Sequence, residues 1–228
     1  MDDPIPPLDP VAVRVLGALV EKQLTTPDYY PLTLNALVNA CNQLSNREPV
    51  MDLDETAVLR AIGVLREHRL ATLFTGAESR VAKYKHTLTD ALLLTPGEVA
   101  LLCVLFLRGP QTLGELRPRT ERIFRFDTLP ETEAALAVLA ERQPQPLVAK
   151  LPRAPGTKES RYAHLFGGPV EVVDSRSAPA PAALIASPLA PVPAAADRLA
   201  RLETEAVALR AELAELKAEF ARFRAQCD

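Results

Sequence analysis

Apolar residues recur at helical spacing in two sets of three stretches, and each set ends in a pair of short alternating segments. In the first set, Val11, Val15, Leu16, Leu19 and Val20 follow Asp9-Pro10, an N-cap residue with proline at the first helical position. Thr25-Thr26-Pro27 ends that helix. A second helix follows Pro31, with Leu34, Leu37, Val38 and Cys41 on one face. It runs into a polar string, Asn42 to Pro49. A third begins near Asp54-Glu55 and is expected to bury Val58, Leu59, Ile62 and Leu65. Leu70 to Thr75 and Arg80 to Thr87 then alternate, joined by Gly76-Ala77-Glu78-Ser79 as a hairpin turn.

The second set opens each helix on a Thr with Glu three residues later: Thr95 with Glu98, Thr112 with Glu115, and Thr128 with Glu131. These spacings predict capping boxes, in which two orphan amide donors at a helix start are satisfied reciprocally. Leu136 and Leu139 face inward on the last helix. Leu147 to Leu151 and Arg161 to Phe166 read as a hairpin, with Pro152 to Ser160 as its connection. The plan of the first set recurs without its letters. Three helices and a hairpin in this order are the winged helix-turn-helix plan. The expected fold is therefore α+β and mainly α, with two tandem winged helix-turn-helix domains, residues 1–92 and 93–168.

Residues 169–196 are rich in Ala and Pro and read as a linker. Residues 197–228 read as a C-terminal coiled-coil helix. Leu199, Ala206, Leu213 and Phe220 recur every seven residues as a positions; Leu202, Leu209, Leu216 and Phe223 do so as d positions. In a parallel pair the flanking charges meet as Arg198 with Glu203, Glu205 with Arg210, Glu212 with Lys217, and Glu219 with Arg224, all opposite in sign. The register predicts a homodimer through Leu199, Leu202, Leu209, Leu213, Leu216, Phe220 and Phe223, with Cys227 at the next a position.

Several strings in the first domain are distinctive. Glu21-Lys22-Gln23, Thr25-Thr26-Pro27-Asp28, Tyr30-Pro31-Leu32 and Asn35-Ala36-Leu37 precede Asn42-Gln43-Leu44-Ser45-Asn46-Arg47-Glu48-Pro49-Val50. Together they resemble the YceH-like family of bacterial proteins of unknown function. The resemblance spans roughly residues 9–166 and is densest before residue 90. It implies tandem winged-helix domains and no established activity, substrate or catalytic residue. The long Ala/Pro linker departs from the family's simplest form.

Charge narrows the function. With 26 Lys plus Arg against 29 Asp plus Glu, the net charge of −3 argues against a uniformly basic nucleic-acid binder but leaves room for local patches. Arg80, Lys83, Lys85 and His86 cluster on the first hairpin; Arg153, Lys158 and Arg161 cluster on the second. Arg117, Arg119, Arg122 and Arg125 punctuate the stretch between the second domain's second and third helices. The first domain's third helix carries Arg60, Arg66 and Arg69, but also Glu55 and Glu67. Asn46 and Arg47 have two readings: phosphate contacts before a recognition helix, or residues that end the second helix while Arg47 pairs a carboxylate. The nucleic-acid candidates are Asn46, Arg47, Arg60, Arg80, Lys83, Lys85, Arg153 and Lys158. The second domain's third helix carries Glu131, Glu133 and Glu141 with Arg142 as its one base, which suits a protein partner better than DNA.

No catalytic constellation stands out. His68, His86 and His164 lack a neighbouring nucleophile, metal or phosphate motif, and Cys41 and Cys103 fall on apolar helix faces. The three cysteines form no CxxC pair, so neither a metal site nor a cofactor is expected. No apolar run reaches the roughly 18 residues of a membrane span. The acidic start, Met1-Asp2-Asp3-Pro4, is unlike a signal peptide, and a cytoplasmic setting is expected. The expectation is a non-enzymatic, DNA-associated or regulatory winged-helix protein acting as a dimer, with double-stranded DNA as candidate partner. The alternative is a winged-helix scaffold that binds proteins and not DNA.

Overall fold

A computed structural model describes residues 5–74, 81–153 and 159–168. Asp9 opens α1 (Pro10–Thr25), its carboxylate accepting the Ala12 amide at 2.7 Å. The chain continues through β1 (Leu32–Thr33), α2 (Leu34–Cys41), α3 (Glu55–Glu67), β2 (Ala71–Phe74) and β3 (Lys83–His86). After a short α4 (Leu88–Leu92) the same order returns. It comprises α5 (Pro96–Arg108), β4 (Gln111–Thr112), α6 (Leu113–Thr120), α7 (Leu129–Ala140), β5 (Val148–Lys150) and β6 (Arg161–His164). The architecture is α+β and mainly helical, with two small antiparallel sheets ordered β1-β3-β2 and β4-β6-β5.

The two sheets share a register. Tyr84 lies opposite Leu32, and Tyr162 opposite Gln111; His86 lies opposite Ala71, and His164 opposite Val148. Lys83-Tyr84-Lys85-His86 and Arg161-Tyr162-Ala163-His164 therefore occupy the same place in the two repeats, so some letters do recur. Thr33 and Thr112 are also equivalent. Each ends its short strand and caps the next helix, accepting the amide of Ala36 at 3.3 Å and of Glu115 at 3.2 Å. The boxes at Thr95 and Thr112 close in both directions. The third closes in one: Thr128 accepts the Glu131 amide, but Glu131 Oε2 accepts the Asp127 amide at 2.9 Å, one residue earlier than expected.

The core is shared between the repeats. Every residue from Ala12 to Glu21 in α1 is buried, and every residue from Gly97 to Leu107 in α5. A helix buried all round is enclosed by its neighbours instead of lying on a surface. α1 packs against α2 and α3 of its own repeat and against α5 of the other. At that crossing a Cβ on Gly17 would sit 2.8 Å from Phe106 Cβ and 3.0 Å from Leu107 Cδ2, so glycine permits the close approach. Both repeats fall in one compact unit.

One expected core position is not in the core. Leu59 is 44% exposed; α3 buries Val58, Ala61, Ile62 and Leu65 instead. Those four keep a single three- or four-residue spacing, and Leu59 lies roughly 100° away around the helix. The hairpin turn Gly76 to Ser79, the linker 169–196 and the heptad segment with Leu199, Leu202, Leu209, Leu213, Leu216, Phe220 and Phe223 lie outside the described residues. Among the described residues no helix is long and apolar enough to cross a membrane.

Candidate nucleic-acid interface

With Val58, Ala61, Ile62 and Leu65 turned inward, α3 presents a continuous outer stripe. Thr56, Leu59, Arg60, Arg66 and Glu67 are exposed along it, and a Cβ added to Gly63 would meet nothing within 4 Å. These positions follow the i, i+3/i+4, i+7 rule for one helix face. The chain then enters β2. On its neighbour β3, Tyr84 and His86 are buried and the alternating Lys83 and Lys85 are half-buried on the other face. Lys85 Nζ lies 5.9 Å from the centroid of the Phe74 ring, which holds the ammonium over the strand. Arg80 lies outside the described residues.

In the Asn42–Arg47 string, Leu44 and Ser45 are exposed, while Asn42, Asn46 and Arg47 are tied into the fold. The Arg47 side chain has no exposed surface. Its Nη2 donates to Glu21 Oε2 at 2.6 Å, and its Nη1 to Glu21 Oε1 at 3.3 Å. Further donations reach the Ala40 carbonyl, in the last turn of α2, and Gln43 Oε1. Of the two expectations for Arg47, the structure places it in a pair with a carboxylate, with no side-chain surface exposed. Asn46 sits at φ 60°, a left-handed conformation that asparagine tolerates, and its Oδ1 accepts from Arg108 Nη2. Asn42 exchanges two hydrogen bonds with the Leu53 backbone, at 2.8 and 2.9 Å, closing the loop before α3. A second buried guanidinium, Arg14, donates to the Cys41 and Pro49 carbonyls at 3.2 and 2.6 Å. Sequence reasoning missed Arg14, although a charged residue inside a stretch buried on every side was its signal.

The second repeat is less basic on the corresponding surface. Arg153 is exposed; Lys158 lies outside the described residues. Arg161 donates to the Pro110 carbonyl at 2.8 Å and to Glu115 at 3.2 Å. Arg117 donates to the Phe126 and Asp127 carbonyls, bracing the turn before α7. The outer face of α7 carries Glu131, Ala134, Ala137 and Val138, all exposed, with Glu141 exposed as its C-cap, while Glu133 accepts from Lys150 and Tyr162 at 3.3 Å. Arg142 reaches back to the Leu92 carbonyl.

Cys41, Cys103 and His86 are buried. Burial pushes the Cys41 thiol up to about 12 and raises Cys103 as well, so both stay protonated and poorly nucleophilic. Burial lowers His86 and His164 to about 4, with Asp90 partly opposing it at His86. Among the described residues no cluster of three His, Cys, Asp or Glu side chains could hold a metal ion.

A family model described as a protein of unknown function, DUF480, matches residues 8–157. A UPF0502 protein of Opitutus terrae is 54% identical over 209 residues, covering 92% of this chain and 86% of its own. One from Citrifermentans bemidjiense is 60% identical over 161 residues, covering 71% and 74%. One from Pelobacter propionicus is 49% identical over 220 residues, covering 96% and 97%. The last match leaves only a few residues of either chain unaligned, so it extends well beyond residue 168. The chain belongs to the DUF480 family of bacterial proteins of unknown function, which includes these UPF0502 proteins.

Proposed function

We propose that this chain is a non-enzymatic, DNA-associated regulatory protein of the cytoplasm, built on two winged helix-turn-helix repeats and acting as a dimer. The observation that carries the reading is the outer stripe of α3, where Arg60 and Arg66 flank the open position at Gly63, followed by a hairpin bearing Lys83 and Lys85. Helix, strand, helix, helix and hairpin, with the first strand paired to the last, fit a winged helix whose third helix enters a groove. In the sequence Arg80 lies between β2 and β3, and Arg153 and Lys158 lie between β5 and β6. Binding to random duplex DNA should be measurable at low salt and fall steeply as salt rises. Replacing Arg60, Lys83 and Lys85 together by Ala should flatten the plot of log K against log salt by about 0.9 for each phosphate left without its cation. Intact protein that leaves duplex DNA unbound at low salt would refute the reading.

The dimer rests on the heptads of residues 197–228. Each exposed charge pair contributes only about 0.2–1 kcal/mol, so the pairs act mainly on register. The same register brings Cys227 opposite its own copy. Mild oxidation should link two chains, and Cys227→Ser should abolish the link. A monomer in sedimentation at tens of micromolar, with no crosslink, would rule this arrangement out.

A second reading is favoured by α7. Its exposed Ala134, Ala137 and Val138 lie between acidic residues, a face suited to a protein and repelled by phosphate. If the DNA assay is blank, a protein-binding scaffold using α7 becomes the better account.

A further inference from the structure

Resting on the reading of the chain as DNA-associated, we infer that the second repeat holds the sugar-phosphate backbone with the arginines of the turn between α6 and α7, while α7 itself stays out of the groove. The turn is built to present charge. Pro118 stands inside α6, and beyond Thr120 the amides of Ile123 and Phe124 both donate to the Thr120 carbonyl, at 2.7 and 2.8 Å. Two donors on one carbonyl close the chain tightly. Phe126 is buried with Phe124 edge-on to it at 4.8 Å, and a Cβ on Gly97, at the start of α5, would lie 3.1 Å from the Phe126 ring. Arg117 ties down the far end, donating to the Phe126 and Asp127 carbonyls at 3.2 and 3.0 Å. The aromatic residues thus anchor the turn, and Arg122 and Arg125 between them stay exposed. A segment fixed before binding loses little conformational freedom when it binds.

The charge is one-sided. Residues 117–125 hold four arginines against one carboxylate, Glu121. Arg117 and Arg125 border one depression of the surface together with Glu121, and Arg119 and Arg122 border another. The carbonyls that Arg117 reaches satisfy its donors without cancelling its charge. Arg119 stands 3.6 Å from Glu115, which Arg161 shares at 3.2 Å. Among the described residues Arg122 and Arg125 have no hydrogen bond or ion pair, so their forked donors are available to phosphate oxygens. Asp127 and Glu131, both exposed where α7 begins, explain why the contact stops at the turn: they would carry like charge towards a groove. In a helix-turn-helix, the segments ahead of the third helix cross the backbone while that helix reads bases. Backbone contacts position a protein without reading sequence. The second repeat then adds a sequence-independent hold to the groove contact that α3 supplies.

The test is salt-titrated binding of the full chain to random duplex DNA, with Arg122→Ala and Arg125→Ala combined. The thermal midpoint should stay at the wild-type value, since both side chains are exposed and unpaired. Affinity at low salt should fall about tenfold, and the plot of log K against log salt should flatten by about 1.8, or 0.9 for each phosphate left without its cation. Lysine at both positions keeps the charge and should restore the slope. Glu121→Gln removes the opposing carboxylate and should raise affinity. Intact protein that binds duplex, with an unchanged slope in the double alanine variant, overturns the role of the turn and leaves that of α3 and the first hairpin standing. A loss that lysine does not repair overturns the phosphate contact as its cause. Intact protein that leaves duplex unbound overturns both.

Discussion

Arg47→Met is expected to destabilise the protein by about 3–5 kcal/mol, because it strands the Glu21 carboxylate in the interior. Glu21 and Arg47 are 7% and 6% exposed, and the two guanidinium nitrogens of the pair lie 2.6 and 3.3 Å from the carboxylate oxygens. Arg47 also holds the Ala40 and Asn46 carbonyls, so its loss releases the end of α2 and the loop together. Removing one partner of a buried pair costs more than removing both, since the remaining charge keeps its desolvation penalty without its Coulombic gain. Glu21→Leu combined with Arg47→Met should therefore recover much of the loss. Arg60→Ala, on the exposed face of α3, should change stability by no more than about 0.5 kcal/mol. Urea unfolding of the four proteins checks the series. A cost near zero for Arg47→Met would mean that the loop relaxes to let Glu21 reach water.

The same pair explains why the loop is ambiguous when read along the chain. Asn42 to Arg47 is dense in polar groups, which is as true of a phosphate loop as of a helix terminus. Only the Glu21 partner, far away in sequence, separates the two. By contrast, local chemistry was legible. Asp9, Thr95, Thr112 and Thr128 cap helices where their spacing places them, because a cap is made within three residues. The hairpins were legible from alternation. β1 and β4 were not, because two residues are too few to show a period, and each is defined by the distant strand it pairs with.

Of the nucleic-acid candidates, Arg60, Lys83, Lys85 and Arg153 keep surface positions, Arg47 turns inward, and Asn46 is tied to Arg108. Burial of an arginine depends on a tertiary partner, and composition cannot register it. Leu59 shows the reverse error: an apolar residue beside a true core stripe was assigned to it. The packing of α1 on α5 was also hidden, although the nine-residue apolar run Val99–Leu107 is longer on all sides than a one-faced helix needs. That run marks a helix covered from both repeats.

Lowering the pH from about 7.5 to 5 is expected to cost about 2 kcal/mol of stability for each of His86 and His164. Burial holds the folded pKa of both near 4, below the ordinary 6.5. As pH falls through 6.5 the unfolded chain takes up protons that the folded chain refuses, so the unfolded state gains. The stability is fully present above about 6.5, is lost across the window down to about 4, and changes no further below it. Geometry explains the burial: the two histidines occupy equivalent strand ends, His86 with its ring centroid 6.3 Å from that of Tyr30 and His164 edge-on to Phe106 at 5.2 Å. Neither His86 ring nitrogen has a hydrogen-bond partner among the described residues. His86→Phe should therefore be tolerated at neutral pH, where it removes two unsatisfied polar atoms. Its larger effect should appear in acid, where it deletes one titrating group and with it about half of the loss between pH 7.5 and 5. The double replacement with His164→Phe should leave the urea midpoint almost flat over that interval, apart from carboxylates beginning to titrate at its lower end. A double variant that follows the wild-type pH profile would show that other groups carry the acid sensitivity and that these imidazoles reach water when protonated.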